Sequence, residues 1–80
     1  MERQMTDAGI YDGDTVILEK REHHPGDIVL AVVENQVTLK RYVIENERHL
    51  LRAENPAFKD IVLDEESTIQ GVAVGLIRRL

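Results

Sequence analysis

The sequence predicts an all-β domain: a small, highly twisted sheet or partly closed barrel with very little helix. Three observations predict it. Apolar and polar residues alternate with a period of two rather than 3.6 through most of the chain. Turn-forming residues interrupt the apolar runs about every eight to twelve residues, the spacing of short strands in sheets and barrels. Glycines fall inside the last apolar run, where a helix would be weakened by them.

The elements follow in order. Residues 5–8 form at most one helical turn. Asp12-Gly13-Asp14 is a turn, and Thr15-Val16-Ile17-Leu18-Glu19 after it is a short β-branched strand. Residues 20–24 are polar and Pro25-Gly26 punctuates them. Residues 27–33 are almost continuously apolar, which predicts a strand covered on both faces. Glu34-Asn35 is a tight hairpin turn into a strand over 36–44, because Asn tolerates positive φ. A polar turn at 45–48 leads to a strand over 49–53. Asn55-Pro56 breaks the chain, since the residue before proline is pushed out of the helical region. Ile61-Val62-Leu63 is a brief strand and Asp64-Glu65-Glu66-Ser67 a charged connection. The final strand runs from Thr68 to about Arg79, with Gly71 and Gly75 marking bends, bulges or a close backbone approach.

Eighty residues make one domain, over 1–80, and a thin-cored one. A chain of this size buries only roughly 60% of the surface its unfolded form exposes. There is no cysteine, so neither disulfides nor thiolate-bound zinc reinforce the core. No run reaches the roughly 18 apolar residues of a membrane-spanning helix, and the first residues lack the apolar stretch of a signal peptide. The expectation is a soluble cytoplasmic protein. The formal net charge is −5, with basic residues scattered apart from Lys20-Arg21, Lys40-Arg41 and Arg78-Arg79. Phosphate neutralisation dominates nucleic-acid affinity, so direct nucleic-acid binding is not expected.

The chemistry centres on Lys40, in Val37-Thr38-Leu39-Lys40-Arg41. On a strand, Thr38, Lys40 and Tyr42 share one face and Val37, Leu39 and Arg41 the other. Taken alone, these residues describe a solvated lysine on the polar face of a hairpin. A buried lysine has a second use: burial disfavours its charged form, and the neutral amine can serve as base for a serine hydroxyl.

The order of segments decides between those readings. Met5-Thr6-Asp7-Ala8-Gly9-Ile10-Tyr11-Asp12-Gly13-Asp14 comes first, then Gly26-Asp27-Ile28-Val29, then Val37-Thr38-Leu39-Lys40-Arg41. Glu54-Asn55-Pro56 follows, and Gly71-Val72-Ala73-Val74-Gly75-Leu76-Ile77-Arg78 closes the series. Across nearly the whole chain this order resembles the LexA/UmuD family of self-cleaving Ser–Lys peptidases, the S24 family. The resemblance places Lys40 at the general base and Met5 just after the nucleophile. Asp7, Gly9, Ile10, Gly13 and Asp14 fall on the turn that shapes the site. The nucleophile position is Gln4, whose amide cannot attack a carbonyl, and Glu2 stands where the family favours glycine. Ser67 is the only serine and lies far from the motif; Thr6 sits at a variable position of the motif.

The resemblance therefore implies the C-terminal dimerisation and latent autoprotease domain of a LexA-like SOS-response repressor, lacking the DNA-binding domain and the arm with the scissile Ala-Gly bond. It implies no peptidase activity for the chain as given. A homodimer through the C-terminal strand, with Val72, Val74, Leu76 and Arg78 at the interface, comes with it, as does a RecA-type filament as partner of the full-length parent. The alternatives are an active UmuD-like self-cleaving peptidase in full-length form and a stand-alone, decayed dimerisation module. Type I signal peptidase shares the Ser–Lys arrangement, but Glu54-Asn55-Pro56 and the absence of an anchor argue against it. No cofactor or metal is expected. Adjacent His23 and His24 point to opposite sides of an extended segment, so they and His49 with Asp27 read as solvated loop. Asp12, Asp14 and Asp27 lack the spacing of a calcium loop and read as turn caps.

Overall fold

In the computed structural model, residues 4–64 and 67–80 are described. Glu2 and the Glu65-Glu66 pair of the charged connection lie outside the described residues. A 3-10 turn at Thr6–Ala8 precedes strands β1 (Thr15–Glu19), β2 (Ile28–Val33), β3 (Gln36–Glu45), β4 (Arg48–Arg52), β5 (Ile61–Val62) and β6 (Ser67–Ile77). The expected strands are all present, within a residue or two at their ends.

These strands form one antiparallel sheet in the order β1-β6-β2-β3-β4-β5. The sheet is open. β5 is only two residues long and pairs with β4 at Leu50–Val62 and Leu51–Ile61. It is too short to carry the sheet round to β1, so the barrel alternative gives way to an open sheet. Both hairpins flanking β3 turn on paired positive φ values, Glu34 and Asn35 at 50° and 64°, Asn46 and Glu47 at 52° and 65°. Left-handed backbone at both central residues matches the right-handed twist of the strands they join.

β6 is interior rather than at an edge, but its pairing is divided. Residues 67–72 pair with β2, and residues 72–77 pair with β1. Its register shifts twice, opposite Ile17/Leu18 and opposite Leu30/Ala31, leaving Val74 and Gln70 as bulged residues. Each bulge adjoins a glycine, as expected. Beyond Val72 the β2 side of β6 has no ladder partner among the described residues, because that ladder ends at Val29–Val72.

The core lies on one face of the sheet. Val29, Ala31, Tyr42, Leu51 and Val72 form the buried cluster, with Val33, Ile61, Leu63 and Ile69 packed against it. Met5 and Ile10 are buried as well. Each such side chain contributes about 1.5–3 kcal/mol by leaving water. Two expectations change here. On β2 only Val29 and Ala31 are buried, with Ile28, Leu30 and Val32 half-exposed, so one face rather than both is sealed. Val72, expected at a dimer surface, is fully buried. Cross-strand pairing sets it beside Val29, inside the core.

Candidate active site

Lys40 occupies a core position. Residues paired across a sheet share a face, and the row Val72–Val29–Lys40 crosses three adjacent strands. Lys40 stands where the pattern calls for an aliphatic side chain and is only 2% exposed. Its Nζ donates to Thr38 Oγ1 at 2.6 Å, a bond along one face of β3 from two residues away. The solvated-lysine reading does not survive this placement. Around it lies a cleft of about 170 Å³ lined by Gln4, Val33, Glu34, Gln36, Thr38, Lys40 and Ile61. Positions 4 and 40, remote in sequence, thus face one small cleft.

Position 4 is carried by a compact turn. The Met5 carbonyl accepts from Ala8 N at 3.0 Å and from Ile10 N at 3.2 Å, and Gly9 N donates to Thr6 O at 2.9 Å. Gly9 closes the turn at φ 79°, a left-handed conformation that glycine adopts without cost from a side chain. Met5 itself is fully buried and pins the turn to the core. Next along the chain, Asp14 N donates to Tyr11 O at 3.1 Å and Tyr11 N to Asp14 Oδ2 at 2.8 Å, with Gly13 at φ 89°. All the residues expected to shape the site, Met5, Asp7, Gly9, Ile10, Gly13 and Asp14, belong to these two linked turns.

Two arginines hold this turn system. Arg41 projects to the face opposite Lys40. Its Nε and Nη2 donate to Glu54 Oε1 at 2.8 and 2.5 Å, and its Nη1 to Gly26 O at 2.6 Å. The Glu54 carbonyl in turn accepts from Asp7 N at 2.8 Å, which ties the site turn to the Glu54-Asn55-Pro56 segment. Asn55 shapes that segment, its Oδ1 accepting from Ala57 N at 3.0 Å.

Arg78 grips from the other side, donating from Nε and Nη2 to the two Asp14 carboxylate oxygens at 2.8 and 2.6 Å. This bidentate pair, helped by the Tyr11 amide, holds the Asp14 carboxyl down at about 2 and raises Arg78 further above its usual range. Arg78, expected at a dimer face, is about half exposed and bonds Asp14 of its own chain. A separate surface fork joins Arg52 to Asp60 and Glu45, lowering Asp60 and raising Arg52.

A second hollow, of about 550 Å³, lies farther along the same face and is lined by His23, Tyr42, His49, Val62, Leu63 and three charged residues. His23 packs edge-on against the Tyr42 ring at 4.7 Å, and Tyr42 Oη hydrogen-bonds His49 Nδ1. These two histidines flank the Tyr42 ring, His49 from an exposed position within β4 rather than from a loop. His24, with Asp27, belongs to the polar turn before β2. Among the described residues no group of three or more His, Cys, Asp or Glu is placed to hold a metal ion, and no helix is long and apolar enough to cross a membrane.

A family model described as Peptidase S24-like matches residues 2–74. The chain belongs to the peptidase S24-like family. It is 51% identical to the LexA repressor of Verrucomicrobium spinosum over 74 residues, which cover 92% of this chain and 37% of that protein. It is 49% identical to the LexA repressor of Opitutus terrae over 76 residues, 94% of this chain and 38% of that protein. Identity to the LexA repressor of Providencia rettgeri is 45% over 78 residues, 92% and 38% of the two chains. The chain thus spans less than two fifths of the length of these relatives. The matched segment takes in both Gln4 and Lys40 of this S24-like domain, and it stops short of Arg78.

Three features of the S24-like site were not read from the sequence as such. Thr38 had a visible signal, since it lies two residues from Lys40 on a strand and so on the same face. The Arg41–Glu54 link carried a weaker one, both residues falling in motif segments. Nothing local connects Arg78 with Asp14.

Proposed function

We propose that this chain is the C-terminal dimerisation and latent self-cleavage domain of a LexA-like repressor, without peptidase activity as it stands because glutamine occupies the nucleophile position. The observation that supports this reading is the cleft shared by Gln4 and the buried Lys40. In a Ser–Lys site the serine hydroxyl passes its proton to a neutral lysine amine as its oxygen attacks the carbonyl carbon. Burial favours the neutral amine by removing water from around the charge. Lys40 is buried as such a base is, and its Nζ donates to the Thr38 hydroxyl on the same face of β3. Gln4 offers an amide in place of the hydroxyl, so the base has no nucleophile to activate.

On this reading the full-length parent acts in the cytoplasm, binds its operator through a separate DNA-binding domain and cleaves itself when engaged by a RecA-type filament. A homodimer through β6 belongs to the same proposal. Its support is the divided pairing of that strand: among the described residues 73–77 have no ladder partner on their β2 side, and Val74, Leu76 and Ile77 are exposed. An open strand edge with apolar neighbours invites a second copy.

The test restores the missing group. Gln4→Ser, offered a peptide with the family's Ala-Gly bond, gains cleavage that rises toward alkaline pH and disappears with Lys40→Ala. The unaltered chain does not cleave. Lys40-dependent cleavage by the unaltered chain would overturn the reading of inactivity. A Gln4→Ser variant that stays inert at every pH favours the decayed dimerisation module.

A further inference from the structure

We infer that Arg78, at the end of β6, is a positioning residue for the cleft: it sets the turn that carries position 4 through the Gly9–Ile10 peptide. The inference rests on the reading of position 4 as the nucleophile position.

The geometry runs through a single peptide plane. Arg78 Nη2 donates to the Gly9 carbonyl at 2.5 Å. The N–H of that same peptide unit belongs to Ile10, and it donates to the Met5 carbonyl at 3.2 Å. The guanidinium therefore pulls on one end of an amide whose other end holds the residue next to Gln4. Hydrogen bonds in such a chain polarise one another, so the charged donor strengthens the weaker bond beyond it. The same guanidinium bonds both Asp14 oxygens and lies 5.1 Å over the Tyr11 ring. One side chain from the last strand thus fixes the loop between the 3-10 turn and β1 at its carbonyl, its carboxylate and its aromatic ring.

Two further points separate this from an ordinary surface ion pair. The Asp14 side chain is only 4% exposed although Arg78 is about half exposed, so the carboxylate is enclosed by its partner rather than by water. Gly9 sits at φ 79° with open space where a Cβ would be, so that peptide is held by the buried Ile10 on one side and by the guanidinium at its carbonyl. The charged and titratable groups around Asp14 are Arg78, Arg79, Tyr11 and Asp12, which with Gly13 line the hollow beside it.

The experiment follows backbone amide and Met5 methyl resonances of the full chain in the unaltered protein and in Arg78→Lys, Arg78→Gln and Asp14→Asn, with Val29 and Tyr42 amides as the sheet reference. In Arg78→Gln the Ala8 and Ile10 amides exchange at least tenfold faster and the Met5 methyl resonance moves, while Val29 and Tyr42 hold their protection. The pH at which the Gly9 and Ile10 shifts titrate rises toward the ordinary carboxylate range. Arg78→Lys gives an intermediate result, because a point charge reaches the carboxylate without the fork that also takes the Gly9 carbonyl. In the Gln4→Ser background the Arg78→Gln change lowers kcat at least tenfold with Lys40 dependence retained. Absence of cleavage in Gln4→Ser itself counts against the latent-site reading of position 4 alone, since the resonance measurements stand on the unaltered chain. Equal loss of protection in the turn and the sheet, or an Arg78→Gln turn indistinguishable from the native one, overturns the inference.

Discussion

Lys40 Nζ reaches the Thr38 hydroxyl at 2.6 Å from the same face of β3, so the buried amine is aimed by a residue of its own strand. Removing that oxygen while keeping the shape isolates its effect. Thr38→Val loses about 1–2 kcal/mol in urea unfolding, because a buried amine is deprived of one acceptor, and Thr38→Ser loses less than half of that. In the Gln4→Ser background the same change slows cleavage. Equal stabilities for Val and Ser at this position would show that the hydroxyl does nothing for Lys40.

Lys40 itself sits in the core row with Val29 and Val72. Replacing a buried ionisable side chain with an apolar one of similar length is commonly neutral or stabilising. Lys40→Met accordingly leaves the stability unchanged or raises it by about 1 kcal/mol, with an unchanged urea m-value. A loss of several kcal/mol would mean that the amine is a structural support rather than a functional group held at some cost.

Gly9 tests the turn by backbone alone. A Cβ there meets no atom within 4 Å, yet φ is 79°. Gly9→Ala costs about 1 kcal/mol and Gly9→Asn less, since asparagine tolerates the left-handed region. Thermal unfolding of the two variants measures the difference. Identical costs would point to a contact rather than to φ.

The β6 edge is tested by charge. Val74 and Leu76 are 47% and 40% exposed, so a lysine at either site disturbs the isolated domain little. Sedimentation at micromolar concentration gives a dimer for the unaltered chain and a monomer for Leu76→Lys, with the unfolding midpoint of the monomer within a few degrees. A monomer for both chains removes the dimer from the proposal.

Acid stability follows from two carboxylates. Asp14 is held at about 2 by Arg78 and Asp60 is lowered by Arg52. A carboxyl whose folded value lies below its unfolded one stabilises fully above the unfolded value and loses that contribution as pH falls through the folded one. The unfolding temperature therefore drops between about pH 4 and pH 2. Arg78→Gln starts lower at pH 7 and declines less over that interval, so the two curves converge in acid. Parallel curves would detach Asp14 from Arg78.

Much of the fold was legible because strands write themselves as alternation, and the Thr38/Lys40/Tyr42 face followed from that period alone. Glu34-Asn35 announced its turn through asparagine's tolerance of positive φ. The burial of Val72 was not legible: Val72, Val74 and Leu76 all look apolar, and only the division of β6 between β1 and β2 puts the first inside and leaves the others exposed. The open sheet was equally hidden, since closure depends on how far β5 extends rather than on any residue's preference. The tie of His49 to Tyr42 was not legible, since it is a side-chain hydrogen bond between residues that lie diagonally across the β3–β4 pair, where His49 faces Ile44. Lys40 and Gln4 came to attention through the order of motifs, whereas the shared cleft needed the folded chain.

The clamp between Arg78 and Asp14 joins residues 64 positions apart in a chain of 80. Within this stretch of sequence the turn behind position 4 is made before β6, the strand that carries its holder. Contacts this far apart also form late in refolding, since the loop they close is nearly the whole chain. On the inference drawn for Arg78, the turn behind residue 4 is clamped only once β6 has been made. In a serine-bearing relative built the same way, that delay would keep the nascent chain from cutting before it is finished.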